Sequence, residues 1–334
     1  MESSVVIPIN EASQVSGARR IVSRLADKIG FTETEVGTAS LVVTEAANNL
    51  IKHAGHGHLV TRSLGKKADR GMEVVALDKG RGMNDVSQCM RDGYSTAGSP
   101  GTGLGAIARL SNAFDIYSNP GSGTAVMSQF GPVAPAHTNA RLEIGAICVP
   151  TSGEEVCGDS WSISEQPERS LILLVDGLGH GEFAAQAARE AVRVFEENLQ
   201  RSPAQIIQAA HGPLRSTRGA AMAVAEINYK EGVLRYAGLG NIAGTVASGG
   251  ATRSLVSHNG TAGHELHRLQ EFTYPWPAGA LLIMHSDGLQ TRWSFANYPG
   301  LASRHPATIA GVLYRDFQRG RDDVTVVVAR ERKT

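Results

Sequence analysis

At 334 residues the chain is longer than one hydrophobic core usually serves, so two domains are expected. Its 32 basic and 32 acidic residues cancel, and no run of like charge creates a local field, which excludes an electrostatic footprint for nucleic acid or an anionic membrane. No stretch is apolar for long enough to cross a bilayer, residues 1–10 lack a basic region ahead of an apolar core, and Cys89, Cys148 and Cys157 form no paired motif. The expectation is an unanchored cytoplasmic protein with free thiols, and neither disulfides nor zinc.

Residues 11–29 predict an amphipathic helix with Val15, Ala18, Ile21, Val22, Leu25 and Ile29 on one face, and residues 34–54 a second, longer one. Strand-like runs follow at 59–64 and 72–78, then a glycine-rich stretch from 78 to 105, a helix over 104–110 and a hairpin around 119–124. That order predicts helices on one face of a mixed sheet. Residues 131–140 hold two prolines and small residues without periodicity, as a linker does. Beyond it, strands are expected at 142–149, 170–175, 220–227, 233–238, 280–286 and 324–328, around helices at 182–201 and 204–211. Two packed sheets flanked by helices would satisfy that spacing. The fold class is α/β in the α+β sense, with domains at 1–131 and 141–334 joined by a linker at 132–140.

Within the second helix Glu45 and Asn49 stand four residues apart, so their side chains share a face about one turn apart. Such a pair can set a carboxylate beside a hydroxyl nucleophile and an amide oxygen on magnesium, although Glu and Asn on a helix are far more often solvated surface than a site. Asp78-Lys-Gly-Arg-Gly82 follows directly on a strand, where a plain turn is the simplest reading and a carboxylate facing a flat ligand the chemical one. Gly101-Thr-Gly-Leu-Gly105 opens a helix, and glycines there free backbone N–H groups to cradle phosphate. The order of the three motifs, more than any one of them, points to a nucleotide.

With Thr44-Glu-Ala-Ala-Asn-Asn-Leu-Ile-Lys-His-Ala54, Asp92-Gly-Tyr-Ser-Thr96 and Gly121-Ser-Gly-Thr124 added, residues 1–130 resemble the GHKL ATPases, and within them the serine-kinase/anti-sigma branch. The resemblance implies a Bergerat-type α/β sandwich that binds ATP and Mg2+. Glu45 would be the general base, Asn49 the magnesium ligand and Asp78 the adenine-reading carboxylate. Gly80, Gly82, Gly101, Gly103 and Gly105 would be the lid and phosphate glycines, and Thr124 would close the adenine end. No dimerisation helix bearing a phosphoacceptor histidine precedes the module, which argues against a sensor histidine kinase.

In the second half, acidic residues recur after apolar runs: Gly158-Asp159, Asp176-Gly-Leu-Gly-His180, Ser286-Asp-Gly288 and Arg321-Asp-Asp323. Each pair alone reads as a turn. Four converging carboxylates would repel one another unless hard cations neutralised them, and two ions about 3.5–4 Å apart would activate a water for in-line attack on a phosphomonoester. The order resembles the metal-dependent PPM phosphatases in the compact SpoIIE/RsbX branch, a likeness that extends to Thr217-Arg-Gly-Ala-Ala-Met222 and Gly238-Leu-Gly-Asn241. It implies an αββα sandwich using Mn2+ or Mg2+, held by Asp159, Asp176, Asp287 and Asp322 and the Gly177 carbonyl, with Asp176 and Asp287 central to catalysis. Asp323 ranks behind Asp322. Leu178 stands where larger PPM enzymes carry a proton-donating histidine, so slower, water-assisted chemistry is expected, with His180 a candidate substitute.

Together the resemblances imply a regulator of a partner-switching pathway: an ATP-dependent serine kinase-like module and a phosphoserine/phosphothreonine phosphatase acting on a STAS-domain antagonist, with a sigma factor as a further partner. The alternative is a first half that binds ATP without transferring phosphate, as an anti-sigma factor or as a gate on the phosphatase. Relatives of the first half often dimerise, so a homodimer is among the expected assemblies.

Overall fold

A computed structural model of the chain describes residues 3–65, 70–91, 103–131, 140–266 and 268–332. The linker expected at 132–140, the segment 92–96, Gly101 and His267 lie wholly or largely outside them. The first elements are β1 (Val5–Ile9), α1 (Ser13–Lys28), α2 (Glu33–Ala54), β2 (Gly57–Leu64), β3 (Gly71–Leu77), the single turn α3 (Val86–Cys89), α4 (Gly103–Leu110), β4 (Ala113–Ser118) and β5 (Thr124–Phe130). There follow β6 (Leu142–Val149), β7 (Asp159–Glu165), β8 (Arg169–Gly177), α5 (Glu182–Glu197), α6 (Pro203–Leu214), β9 (Ala220–Asn228), β10 (Val233–Leu239), β11 (Ala243–Ser248), β12 (Ala251–Ser254), β13 (Phe272–Pro275), β14 (Leu281–His285), α7 (Pro306–Phe317) and β15 (Val324–Glu331). The chain forms two compact units: Glu2–Thr138 with Ala296–Arg315, and Asn139–Phe295 with Asp316–Thr334.

The first unit carries a five-stranded sheet in the order β1-β2-β3-β5-β4. Its ladders are antiparallel throughout, which corrects the mixed sheet expected above. The cause is the β4–β5 hairpin: β5 folds back between β3 and β4 and so runs against both. Val22 and Ala26 of α1 and Val43, Ala47 and Leu50 of α2 pack with Leu59, Val74 and Ala76 on one sheet face. Helix α2 starts in a capping box, in which the Thr32 backbone N–H donates to Glu35 (2.7 Å) and the Glu35 N–H to the Thr32 hydroxyl (3.4 Å). It stops at Gly55, whose φ of 80° a side chain would resist. Alternate residues of β3 point the other way. There the helical segment 306–315 lies so close that a Cβ on Gly311 would be 3.0 Å from the side chains of Val75 and Leu77.

In the second unit two five-stranded antiparallel sheets, β13-β10-β9-β8-β7 and β12-β11-β14-β15-β6, face each other. Period-2 alternation divides β8: Ile172 and Leu174 enter the core between the sheets with Trp161, Tyr236, Leu282, Met284 and Val327. Leu171, Leu173 and Val175 face the opposite side, against Ala188, Ala191 and Phe195 of α5 and Ile206 and Ile207 of α6. Every strand therefore ends at a rim of the sandwich, and the loops at one rim bring the acidic residues together.

Candidate functional sites

The first site grows from the end of β3. Asp78 follows the last buried strand residue, Leu77, and its Oδ1 accepts from the backbone N–H groups of Gly80 (2.7 Å) and Thr124 (3.2 Å). Burial pushes its carboxyl above the usual range, against these two bonds and the nearby Arg315 guanidinium. Arg315 Nη1 also donates to the Asp78 carbonyl at 2.9 Å. At Gly123, φ is 78° and a Cβ would stand 2.0 Å from that same carbonyl oxygen, so only glycine lets the β5 hairpin close over Asp78.

Beside this corner opens a cavity of ≈ 500 Å³, lined by Asn49, Asp78, Gly82, Gly103 and Thr124 among others. Ala46, Leu50, Ile107 and Val126 form apolar wall, and Arg81 adds a polar group, as does His53, which from sequence alone reads as a solvated polar residue. Glu45 stands at the start of α4: a Cβ on Gly103 would lie 2.9 Å from Glu45 Oε2 and 3.4 Å from Asn49 Oδ1. Gly80 sits behind Asp78 as a hydrogen-bond donor, and Gly105 is buried one step further into α4. The carboxyl corner at one end and a helix N-terminus at the other suit a flat polar ring with an anionic tail.

The second site lies at one rim of the sandwich. Asp159 opens β7 directly opposite Asp176 near the end of β8, Asp287 follows β14 by two residues, and Asp322 precedes β15 by two. Each facing sheet thus supplies two of the four. Asn241, in the connection from β10 to β11, joins the groups: its Nδ2 lies 2.7 Å from Asp287 Oδ2 and 3.4 Å from Asp176 Oδ2. The motif that contains Asn241 was visible in sequence, but its bridging role was not. Gly177 is buried and donates its N–H to the Gly158 carbonyl (3.1 Å). Asp323 turns away to accept from Thr151 N–H and Gly158 N–H, both at 2.6 Å, and so pins the loop leading into Asp159.

Electrostatics mark the cluster. Burial, then the negative charges of Asp287 and Asp322, push Asp176 up to about 7. Burial, then Asp176, hold Asp159 well above the usual carboxylate range, and Asp159 Oδ2 is buried with no hydrogen-bond partner. Carboxylates that raise one another's pKa, plus an orphaned carboxylate oxygen, fit a hard divalent ion with oxygen ligands. Among the described residues no group of three acidic, histidine or cysteine side chains is arranged to hold a metal ion.

The histidines stand apart from this chemistry. His180 is exposed and paired through Nδ1 with Glu154 at 2.6 Å, and the Leu178 side chain faces solvent. His285 is buried, contacts the Ser286 carbonyl at 2.8 Å through Nδ1 and is held below its usual range by burial. His211, His258 and His264 contact Gly263 N–H, the Phe272 ring and the Arg218 carbonyl respectively. The buried thiols of Cys148 and Cys157 lie 3.6 Å apart.

Residues 8–129 match the family model of the histidine kinase-like ATPase domain, and residues 166–332, half of the chain, match that of stage II sporulation protein E (SpoIIE). The first half is similar to the serine/threonine-protein kinase RsbT of Bacillus subtilis, 29% identical over 34% of this chain and 86% of that protein. The second half is similar to the phosphoserine phosphatase RsbX of the same organism, 23% identical over 41% of this chain and 69% of that protein. A solved chain described under the bacterial stressosome, a modular system adapted to control secondary messenger signalling, is 29% identical. It superposes with a TM-score of 0.54 over 57% of this chain and all of its own length.

Proposed function

The chain belongs to the SpoIIE family, carries a kinase-like ATPase domain ahead of the PP2C-type phosphatase domain, and from that premise we propose that it sets the phosphorylation of a STAS-domain antagonist in a partner-switching pathway. The observation that carries the phosphatase reading is the meeting of Asp159, Asp176 and Asp287 at the ends of two facing sheets. Asp159, Asp176, Asp287 and Asp322, with the Gly177 carbonyl, would hold two Mn2+ or Mg2+ ions. Such ions, when bound, neutralise phosphoryl charge and make water a competent nucleophile at neutral pH. The protein's own part is to orient. Asn241 donates to both the Asp176 and Asp287 carboxylates, and Asp323 fixes the loop before Asp159. With Leu178 in place of a proton donor and His180 turned to Glu154, the departing serine alkoxide takes its proton from solvent, which keeps turnover slow.

In the first half the cavity would take ATP, with adenine on Asp78 and Thr124, Mg2+ on Asn49, phosphates against Gly82 and Gly103, and Glu45 as base toward an acceptor serine. Incubation with a phosphorylated STAS partner and Mn2+ is expected to release phosphate, and with the unphosphorylated partner and ATP to label it. Equal labelling by Glu45→Ala removes Glu45 as base, and the absence of labelling by either protein removes the kinase reading.

A second reading has its own observation. Residues 296–315 belong to the SpoIIE-matched span yet pack in the ATP-binding unit, where Arg315 holds the Asp78 carbonyl. Nucleotide beside Asp78 would then bias a segment that continues into Asp322, making ATP a gate on the phosphatase. Phosphatase rates that do not change with ATP concentration eliminate it.

A further inference from the structure

At the aspartates lies an open cleft of ≈ 690 Å³, lined by Asp287 and Asp322 and also by Arg292, Arg319 and Arg321. All three arginines are exposed, and none takes part in an ion pair or side-chain hydrogen bond among the described residues. The nearest acids are engaged elsewhere: Asp287 accepts from Asn241 and Asp322 from the Asp323 N–H. The guanidinium groups are therefore not spent on the carboxylates beside them. If two divalent ions neutralise the four aspartates, three positive charges remain uncompensated at the mouth of the site.

From this arrangement we infer that the cleft is a substrate subsite for an acidic peptide segment flanking the phosphoserine. The inference rests on the phosphatase reading and adds a substrate class to it. The phosphoryl group belongs at the aspartates, where the ions would sit, so the arginines are left to meet a second anion on the same chain. Planar guanidinium groups bind carboxylates in two-pronged fashion, and Gln290, Thr291 and Gln318 along the cleft can hydrogen-bond an extended backbone. A space of this size takes a few peptide residues. Exposed charge pairs contribute little singly, but three acting together supply about a tenfold preference, which weakens as salt rises.

The test compares two fluorescent phosphoserine peptides that differ only in Asp and Glu against Asn and Gln around the phosphoserine, together with their unphosphorylated counterparts. Hydrolysis is followed as kcat/KM with Mn2+, and binding of the unphosphorylated pair with Mn2+ by anisotropy, a readout independent of turnover. The wild-type protein is expected to favour the acidic peptide about tenfold in both assays. The R292Q/R319Q/R321Q variant should lose that preference, and R292E/R319E/R321E should prefer a Lys-flanked peptide. All six changes fall on exposed side chains, and tryptophan fluorescence checks the fold. Equal affinity of the wild-type protein for both peptides, or a preference surviving in the triple variants, overturns the subsite. An acidic preference in binding without phosphate release from any peptide supports the subsite and overturns the phosphatase reading instead.

Discussion

Replacing Asp176 by Asn should make the metal-free protein more stable at neutral pH, although the change disables the site. Asp176 is raised from the ordinary 3.8 to about 7 by burial and by Asp287 and Asp322. A carboxyl raised on folding binds more protons in the native than in the unfolded state between those values, so stability falls as pH rises through that window. The penalty is absent below about pH 4 and complete above about pH 7, and at about 1.4 kcal/mol per pH unit it reaches about 4 kcal/mol. Solvent in the cleft and sharing of protons with Asp159 bring the expected effect to about 2–4 kcal/mol. Trp161, Trp276 and Trp293 all lie in the phosphatase unit, so their fluorescence in urea reports that unit. In EDTA the wild-type protein should unfold at lower urea at pH 8 than at pH 5.5, and Asp176→Asn should flatten the difference. Mn2+ should abolish it in the wild-type protein alone. Parallel pH dependence in the two proteins, or no response of the wild-type protein to Mn2+, refutes the reasoning.

Three further outcomes follow from single contacts. Gly288→Ala puts a Cβ 2.0 Å from the Asp323 carbonyl oxygen; a loss of about 3 kcal/mol or more in urea unfolding is expected, and a loss under about 1 kcal/mol contradicts that close approach. Asp323→Ala leaves the Thr151 and Gly158 N–H groups without their acceptor and should cost about 2–4 kcal/mol, with Asn, which keeps one acceptor oxygen, recovering about half. Equal stability of the two variants is the contrary result. Asp78→Ala should weaken ATP binding by about 10- to 100-fold in titration calorimetry, the range for a hydrogen bond to a charged group; an unchanged affinity removes Asp78 from the nucleotide site.

The parts of the fold that sequence revealed are amphipathic helices and continuous apolar strands. Helices α1 and α2 bury a stripe and expose the rest, so their period is visible, and β8 announces itself as a continuous apolar run. Helix α7 escaped because nearly every residue from Pro306 to Arg315 is buried, which erases the amphipathic period. Strand β1 was hidden by Pro8, a residue a central strand rejects but an edge strand accepts, and β1 is at the sheet edge. At the candidate sites, Asp78 just after β3 and Asp176 near the end of β8 follow apolar runs, which is what made them visible in sequence. The contacts of Asn241 with Asp287 and of Asp323, by sequence a lesser ligand candidate, with Thr151 were not legible, because each joins groups distant along the chain. The three arginines of the cleft gave no charge run, being spread from 292 to 321.

The most direct measurement is phosphate release from a phosphoserine-bearing STAS-domain protein by the full chain, with Mn2+ or EDTA, for the wild-type protein and Asp176→Asn. Release that requires Mn2+ and disappears in the variant is the predicted result. Release that persists in EDTA, or that Asp176→Asn leaves intact, contradicts a phosphatase centre built on these aspartates.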